Sequence, residues 1–397
     1  MKKLISFIVT FISFLLLTFA LPACTEGPEA QTPPGAEGSV LSGEKLTDSS
    51  CVRWIGRTEY DAEEECVYCY YTATGFTVKF TGTNLKVTFI ATNTSSSVNR
   101  PYFTAGIDGQ DISDGKSFSL TQQKQTVTVA ENLASGTHTV TVLKRSEPEN
   151  SLTSILKIET DGEWQTPDAF TGLKFQILGG SGISGHGCLG QSGEEWTTAN
   201  SSSLKGFGYL TAKKFGGETQ FVANSGMGLV WGYRGVANLA SAYEATGLIA
   251  EYNTDGSTKA VNACGTWNHE SWKPDVVIVN IGGNDWNSHI SKLTAGTTAR
   301  NAAETVFKQN VTSLINRIHT LYPDAYIVWT CNSVTSGNGA LANSAISALA
   351  YKDKIAVVEI DNSKNGADNH ADLNTQRANA QTVSDAITSK FNLEQVN

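Results

Sequence analysis

"FQILGGSGISGHGCLG", residues 175–190, begins as a strand and breaks into glycine. Phe175–Leu178 is a short apolar run, followed at once by glycines with two serines and one histidine among them. Gly180, Gly182 and Gly185 fit the spacing G-x-G-x-x-G, a phosphate cradle in dinucleotide-binding folds. Ser181, just past the strand, fits a nucleophile instead. The two readings place different demands on the rest of the chain.

Downstream, more apolar runs read as buried parallel strands: Thr219–Ala223, Val276–Ile281, Tyr326–Thr330 and Ile355–Ile360. Helical periods lie between them. Asn301–Leu321 places Phe307, Val311, Leu314, Ile318 and Leu321 on one stripe and stops before Pro323; Asn374–Phe391 repeats the pattern. Strand–helix alternation from about Thr166 predicts a doubly wound α/β sheet, whose ligands bind beyond the carboxyl ends of the strands.

Those ends carry chemistry. The second strand ends in Asn224-Ser225-Gly226, the third in "NIGGNDWN" (Asn280–Asn287), and the fifth leads to "DNH" (Asp368–His370). A dinucleotide fold wants an acidic residue after the second strand, within a unit of ~30 residues. Neither condition holds. A nucleophile reading wants a base, an acceptor that orients it, and donors for an oxyanion. His370, Asp368, the amides of Ser181 and Gly226, and the side chain of Asn284 supply that set. Asp285 reads as a structural hydrogen-bonding partner. Trp286, Trp231 and Tyr233 are candidate substrate-binding aromatics, and His186 a candidate for lining the mouth.

The earlier half has a period of two. "FTVKFTGTNLKVTFIAT" alternates Phe76, Val78, Phe80, turns at Gly82–Asn84, and alternates again through Leu85, Val87 and Phe89. Asp108-Gly109 is a hairpin signal, and further alternating runs flank a turn at Ala134–Gly136. A β-sandwich is predicted over 40–165 and the α/β domain over 166–397.

The first residues read as an export signal: Lys2 and Lys3, then an apolar run to Leu21. "LPAC" resembles a bacterial lipobox, which implies cleavage after residue 23 and a lipid on Cys24. Residues 24–39 then form a polar tether rich in Pro and Gly. Export permits disulfides, and a bridge from Cys51 to Cys66 or Cys69 fits better than zinc at the lone C-x-x-C, which has no second pair and no nearby histidine. The net charge of −9 and the lack of a basic stripe exclude a nucleic-acid partner.

Taken together, "LGGSGISGHG", "ANSGMGL", "NIGGNDWN" and "DNH" resemble, in order and spacing, the four blocks of SGNH/GDSL hydrolases. "WIGRTEY" (54–60), "VAENLASGTHTVTVLKRSE" (129–147) and "GYLTAKKFGGETQFVANSGMGLV" (208–230) resemble carbohydrate esterase family 2. The resemblance covers roughly residues 45–395. It implies a jelly-roll-like sandwich before a flavodoxin-like sheet, and removal of acetyl groups from polysaccharides such as xylan and mannan, with no metal or other cofactor. It implies Ser181 as nucleophile, His370 as base with Asp368 as partner, and Ser181, Gly226 and Asn284 as oxyanion donors. Some relatives orient the histidine through a backbone carbonyl instead. The chain departs from the pattern where Gly180 replaces the usual aspartate and Ala371 the usual proline. Two other readings stand beside the esterase: a surface glycan-binding protein with an impaired site, and an esterase of peptidoglycan or lipid.

Overall fold

A computed structural model describes residues 38–233, 235–254 and 257–396. The export signal, Cys24 and most of the tether lie outside the described residues. Two antiparallel sheets form the first half. One runs Thr58–Asp61, Cys66–Cys69, Thr153–Thr160, Leu85–Ala91, Lys124–Ala130. The other runs Trp164–Gln165, Gly75–Thr81, Thr137–Lys144, Tyr102–Ile107, Lys116–Ser119. Ser39–Ser42 and Val52–Ile55 add to one sheet each. Phe76, Val78 and Phe80 from one sheet and Leu85, Val87 and Phe89 from the other are all fully buried between them. The alternation thus marks the inner faces of a sandwich. The Gly82–Asn84 turn joins the two sheets rather than two paired strands, and the Ala134–Gly136 turn does the same.

The second half is a five-stranded parallel sheet. Its strands are Lys174–Gly179, Glu218–Ala223, Val276–Asn280, Tyr326–Cys331 and Ile355–Glu359, arranged 2-1-3-4-5. The apolar runs at residues 175–178, 219–223, 276–281, 326–330 and 355–360 are therefore its strands, with ends shifted by a residue or so. Helix Phe207–Lys214 packs with Leu373–Phe391, and Thr298–Leu321 with Gly337–Ser347. Thr297 caps the long helix by accepting from the Arg300 amide, and Asp372 caps the last by accepting from the Thr375 amide. A hairpin, Gly247–Tyr252 with Thr258–Cys264, stands outside the main sheet. The strand order reverses direction between the first and third strands, and this is the switch point where such sheets bind ligands.

The six described cysteines are all free, which corrects the expected bridge from Cys51. Cys66 and Cys69 are three apart on one strand, so their side chains take opposite faces. Cys69 sits in the sandwich core, where burial pushes its thiol up to about 12. Among the described residues no helix is long and apolar enough to cross a membrane.

Candidate active site

Ser181 follows the first parallel strand on a turn that glycine makes possible. Gly179 has φ +155°, and a Cβ there would meet the Asn280 carbonyl oxygen at 2.1 Å. The next turn is braced by Ser184, whose amide and hydroxyl both donate to the Gly180 carbonyl, at 3.2 and 3.0 Å. The G-x-G-x-x-G spacing thus serves a tight serine turn.

His370 arrives from a loop after the fifth strand. The loop is stitched to the serine turn by the Ala367 amide, which donates to the Gly187 carbonyl at 3.0 Å. His370 Nε2 and Ser181 Oγ are 2.8 Å apart. On the far side of the ring, Nδ1 lies 2.8 Å from the backbone carbonyl of Asp368. Asp368 and Asn369 both have left-handed φ, at +50° and +57°, which curls that carbonyl back under the ring. The expected role of the Asp368 carboxylate is corrected accordingly. It meets His186 Nε2 at 3.1 Å instead, and the carbonyl of the same residue orients the base. Burial, followed by the charge on His186, holds His370 below its ordinary pKa, so the ring is a free base at neutral pH.

Asn284 opens a short helix after the third strand. Its Nδ2 donates to the Met227 carbonyl at 2.7 Å, which leaves the second N–H for another acceptor. Asp285 is fully buried, and its carboxylate accepts from the amides of Leu229, Val230 and Trp231 at 2.6–2.8 Å. It fixes the glycine-rich turn after the second strand against Asn284. Ser181, Met227, Asn284 and His370 line one cleft of about 580 Å³. Gly226 stands one residue behind Met227, outside the lining.

Of the candidate aromatics, Trp286 lines the cleft, braced by the Arg300 guanidinium 4.5 Å from its ring centre. Trp231 does not; it stacks on His289 at 4.4 Å. Tyr233 is exposed away from the cleft, and its amide donates to the Gly226 carbonyl. His186 does not line the mouth either, being only 6% exposed behind His370. The sequence offered no sign of the polar residues that also line the cleft, Asn287, Asn332, Asn338, Asn362 and Lys364. Nor did it point to Glu147, which comes from the sandwich half and reaches the site from behind. His186, Asp368 and His370 form one group whose atoms could gather round an ion, and Glu147, Glu149 and His186 form another. In the first, His186 and Asp368 bond each other and His370 Nε2 bonds Ser181; in the second, Glu147 bonds His186 and Ser225, and Glu149 Oε2 accepts from Asn224 Nδ2.

Residues 54–167 match the family described as carbohydrate esterase 2 N-terminal. The chain is 24% identical over 265 residues to the cellulase/esterase CelE of Acetivibrio thermocellus, across 66% of this chain and 30% of that protein. It is 26% identical over 226 residues to an acetylxylan esterase / glucomannan deacetylase of Cellvibrio japonicus, across 56% of this chain and 57% of that protein. The chain thus spans 30–57% of the length of these curated relatives. In fold it is similar to an acetyl xylan esterase (Est2A) from the rumen bacterium Butyrivibrio proteoclasticus, with a TM-score of 0.74 at 17% identity, over 90% of this chain and 99% of that one. The chain thus carries a carbohydrate esterase 2 N-terminal domain at residues 54–167, and its overall fold is similar to those of family-two carbohydrate esterases.

Proposed function

We propose that the protein is a serine esterase that removes O-acetyl groups from a plant polysaccharide such as xylan or mannan. The observation that carries this reading is the 2.8 Å contact between Ser181 Oγ and His370 Nε2 at the switch point of the sheet. Ser181 Oγ attacks the acetyl carbonyl while His370 takes its proton. The negative oxygen is held by the Ser181 amide and the free N–H of Asn284, both from residues that line the cleft. His370 returns the proton to the departing sugar hydroxyl. Water repeats the sequence on the acyl-serine and releases acetate. Asparagine side chains along the cleft suit a ligand made of neutral hydroxyls, since each offers both a donor and an acceptor. The relatives named as acetylxylan esterases support the same substrate class.

Acetate release from acetylated xylan and glucomannan tests the reading. Ser181→Ala is expected to lower kcat roughly 10⁴- to 10⁶-fold. Parental turnover in that variant would remove Ser181 from the mechanism. Glycan retention on native gels by the unmodified protein, with no acetate released, would favour a glycan-binding role. We also infer export and a lipid on Cys24, supported by the run of residues 2–24. Metabolic labelling with a fatty acid, lost in Cys24→Ala, checks it.

A further inference from the structure

His186 is a titratable group, packed against the His370 ring, that the proposed chemistry leaves unused. Its surroundings fix its charge. Nδ1 lies 2.9 Å from Ser225 Oγ and 3.5 Å from Glu147 Oε1. The Ser225 hydroxyl is already directed at Glu147 Oε1, at 2.8 Å, so its lone pair faces the ring and Nδ1 must donate. Nε2 faces the Asp368 carboxylate at 3.1 Å and must donate as well. With both nitrogens donating, the ring is an imidazolium. Trp196 lies parallel to it, with ring centres 5.0 Å apart and planes 6° from parallel. Burial alone would disfavour the cation. The hydrogen bonds to Asp368 and Glu147, with the charges of Glu147 and Glu149, outweigh it and push the group up to about 9.

Glu147 is braced in turn. Its Oε2 accepts from the Ser225 amide at 2.6 Å, one residue before the glycine turn that follows the second strand. It belongs to the sandwich half and is nearly fully buried. A continuous polar chain therefore runs from the sandwich through Glu147, His186 and the Asp368 carboxylate to the Asp368 carbonyl on His370. Asp368 needs such a grip, because its left-handed φ is unfavourable for any residue with a Cβ.

We propose that His186, braced by Glu147, is a positioning residue of the base: it grips the Asp368 carboxylate and so holds the Asp368 carbonyl against His370 Nδ1. The inference rests on the reading of Ser181 and His370 as nucleophile and base. A second consequence follows from the 4.4 Å between the two imidazole ring centres. A cation that close opposes protonation of His370 and keeps it basic as the pH falls. The charged and titratable groups facing His370 are His186, Asp368 and Glu147, with Lys364 in the same cleft lining. Those facing His186 are Asp368, Glu147 and Glu149.

The test is the pH profile of His186→Gln, which keeps a donor and removes the charge, with folding checked by circular dichroism. The variant is expected to lose kcat roughly 10- to 100-fold through misplacement of the base. KM should hold, because residue 186 lies outside the cleft. The acid limb of kcat/KM should move to higher pH by about one unit. A folded variant with parental kcat, or with a uniform loss and an unmoved acid limb, overturns the proposal. Should His186→Gln fail to fold, Glu147→Gln decides: lower kcat at parental KM supports the proposal, and parental kcat overturns it. Turnover retained in Ser181→Ala would instead sink the esterase mechanism. An inactive Ser181→Ala beside an unchanged His186→Gln sinks the positioning role alone.

Discussion

Gly180 stands where related hydrolases carry an aspartate, and the neighbourhood explains what the vacancy is worth. A Cβ at this position would lie 3.2 Å from Asn284 Nδ2 and 3.4 Å from the Met227 carbonyl oxygen. Those two atoms are the hydrogen bond that aims Asn284. A branched side chain cannot turn its Cβ substituents out of the way. Gly180→Val is therefore expected to swing Asn284 aside and to cost part of what Asn284→Ala costs, about 10²- to 10³-fold in kcat. Steady-state kinetics of both variants on nitrophenyl acetate checks the ranking. The depressed proton affinity of His370 gives a second expectation. A base whose pKa is lowered from 6.5 stays unprotonated below that pH. The acid limb of the parental kcat/KM profile should therefore break below pH 6.5, and a break above it would contradict the buried, cation-flanked ring.

The segment Lys144–Ser151 shows why parts of this molecule were legible in sequence and others were not. The parallel strands announced themselves because both faces of such a sheet are covered, so Val276–Asn280 reads as one apolar run. Ser181, Asn284 and His370 followed from the rule that chemistry gathers at strand ends. Sandwich pairing did not follow, because alternation tells which face is buried and not which strand lies alongside; Gly75–Thr81 and Leu85–Ala91 alternate in step yet belong to different sheets. "KRSEPENS" was the hardest case. Charged runs are ordinarily solvated, yet all eight of these residues are buried. The partners that make burial tolerable are backbone carbonyls and distant amides, which no local pattern reveals. Lys144 Nζ donates to the carbonyls of Cys69, Tyr70 and Ser151 at 2.9–3.3 Å. Arg145 donates to those of Thr198 and Ala199 at 2.8–2.9 Å, lying over the Tyr102 ring. Lys144→Met keeps the volume and leaves three buried acceptors without their donor. It should destabilise by about 3 kcal/mol, measured by urea unfolding. A loss under about 1 kcal/mol would mean that water replaces the ammonium.

The apolar core of the α/β sheet reaches across the seam into the sandwich half, beside a second cluster between the two sandwich sheets, and this bears on how the chain should unfold. Ile55, Tyr71, Ala73 and Leu143 from the first half pack in the same buried cluster as Phe221, Tyr243 and Leu248 from the second. Residues 37–397 form a single compact unit. Arg57 is the polar rivet at this seam. It is fully buried, with Nε 3.2 Å from Gln220 Oε1, which also accepts from Gln176 Nε2 at 2.9 Å; the two glutamines are register partners on the first two parallel strands. Its Nη1 donates to the carbonyls of Tyr243 and Ala245 at 2.9 and 2.6 Å, at the end of helix Leu239–Glu244, where carbonyls lack partners within the helix. The Trp267 ring covers the guanidinium with its centre 4.9 Å away. Arg57→Ala removes one side chain from the sandwich and strands acceptors in the α/β half. Leaving these buried neutral acceptors without their donor is expected to cost about 1–3 kcal/mol. Because one buried cluster draws on both halves, calorimetry of the parent should show one transition, and Arg57→Ala should shift that whole transition downward. Two transitions, with only the earlier moved, would show that the sandwich folds independently and merely touches its neighbour. Glu147 could then not hold the base, since its reach to His186 depends on the same seam.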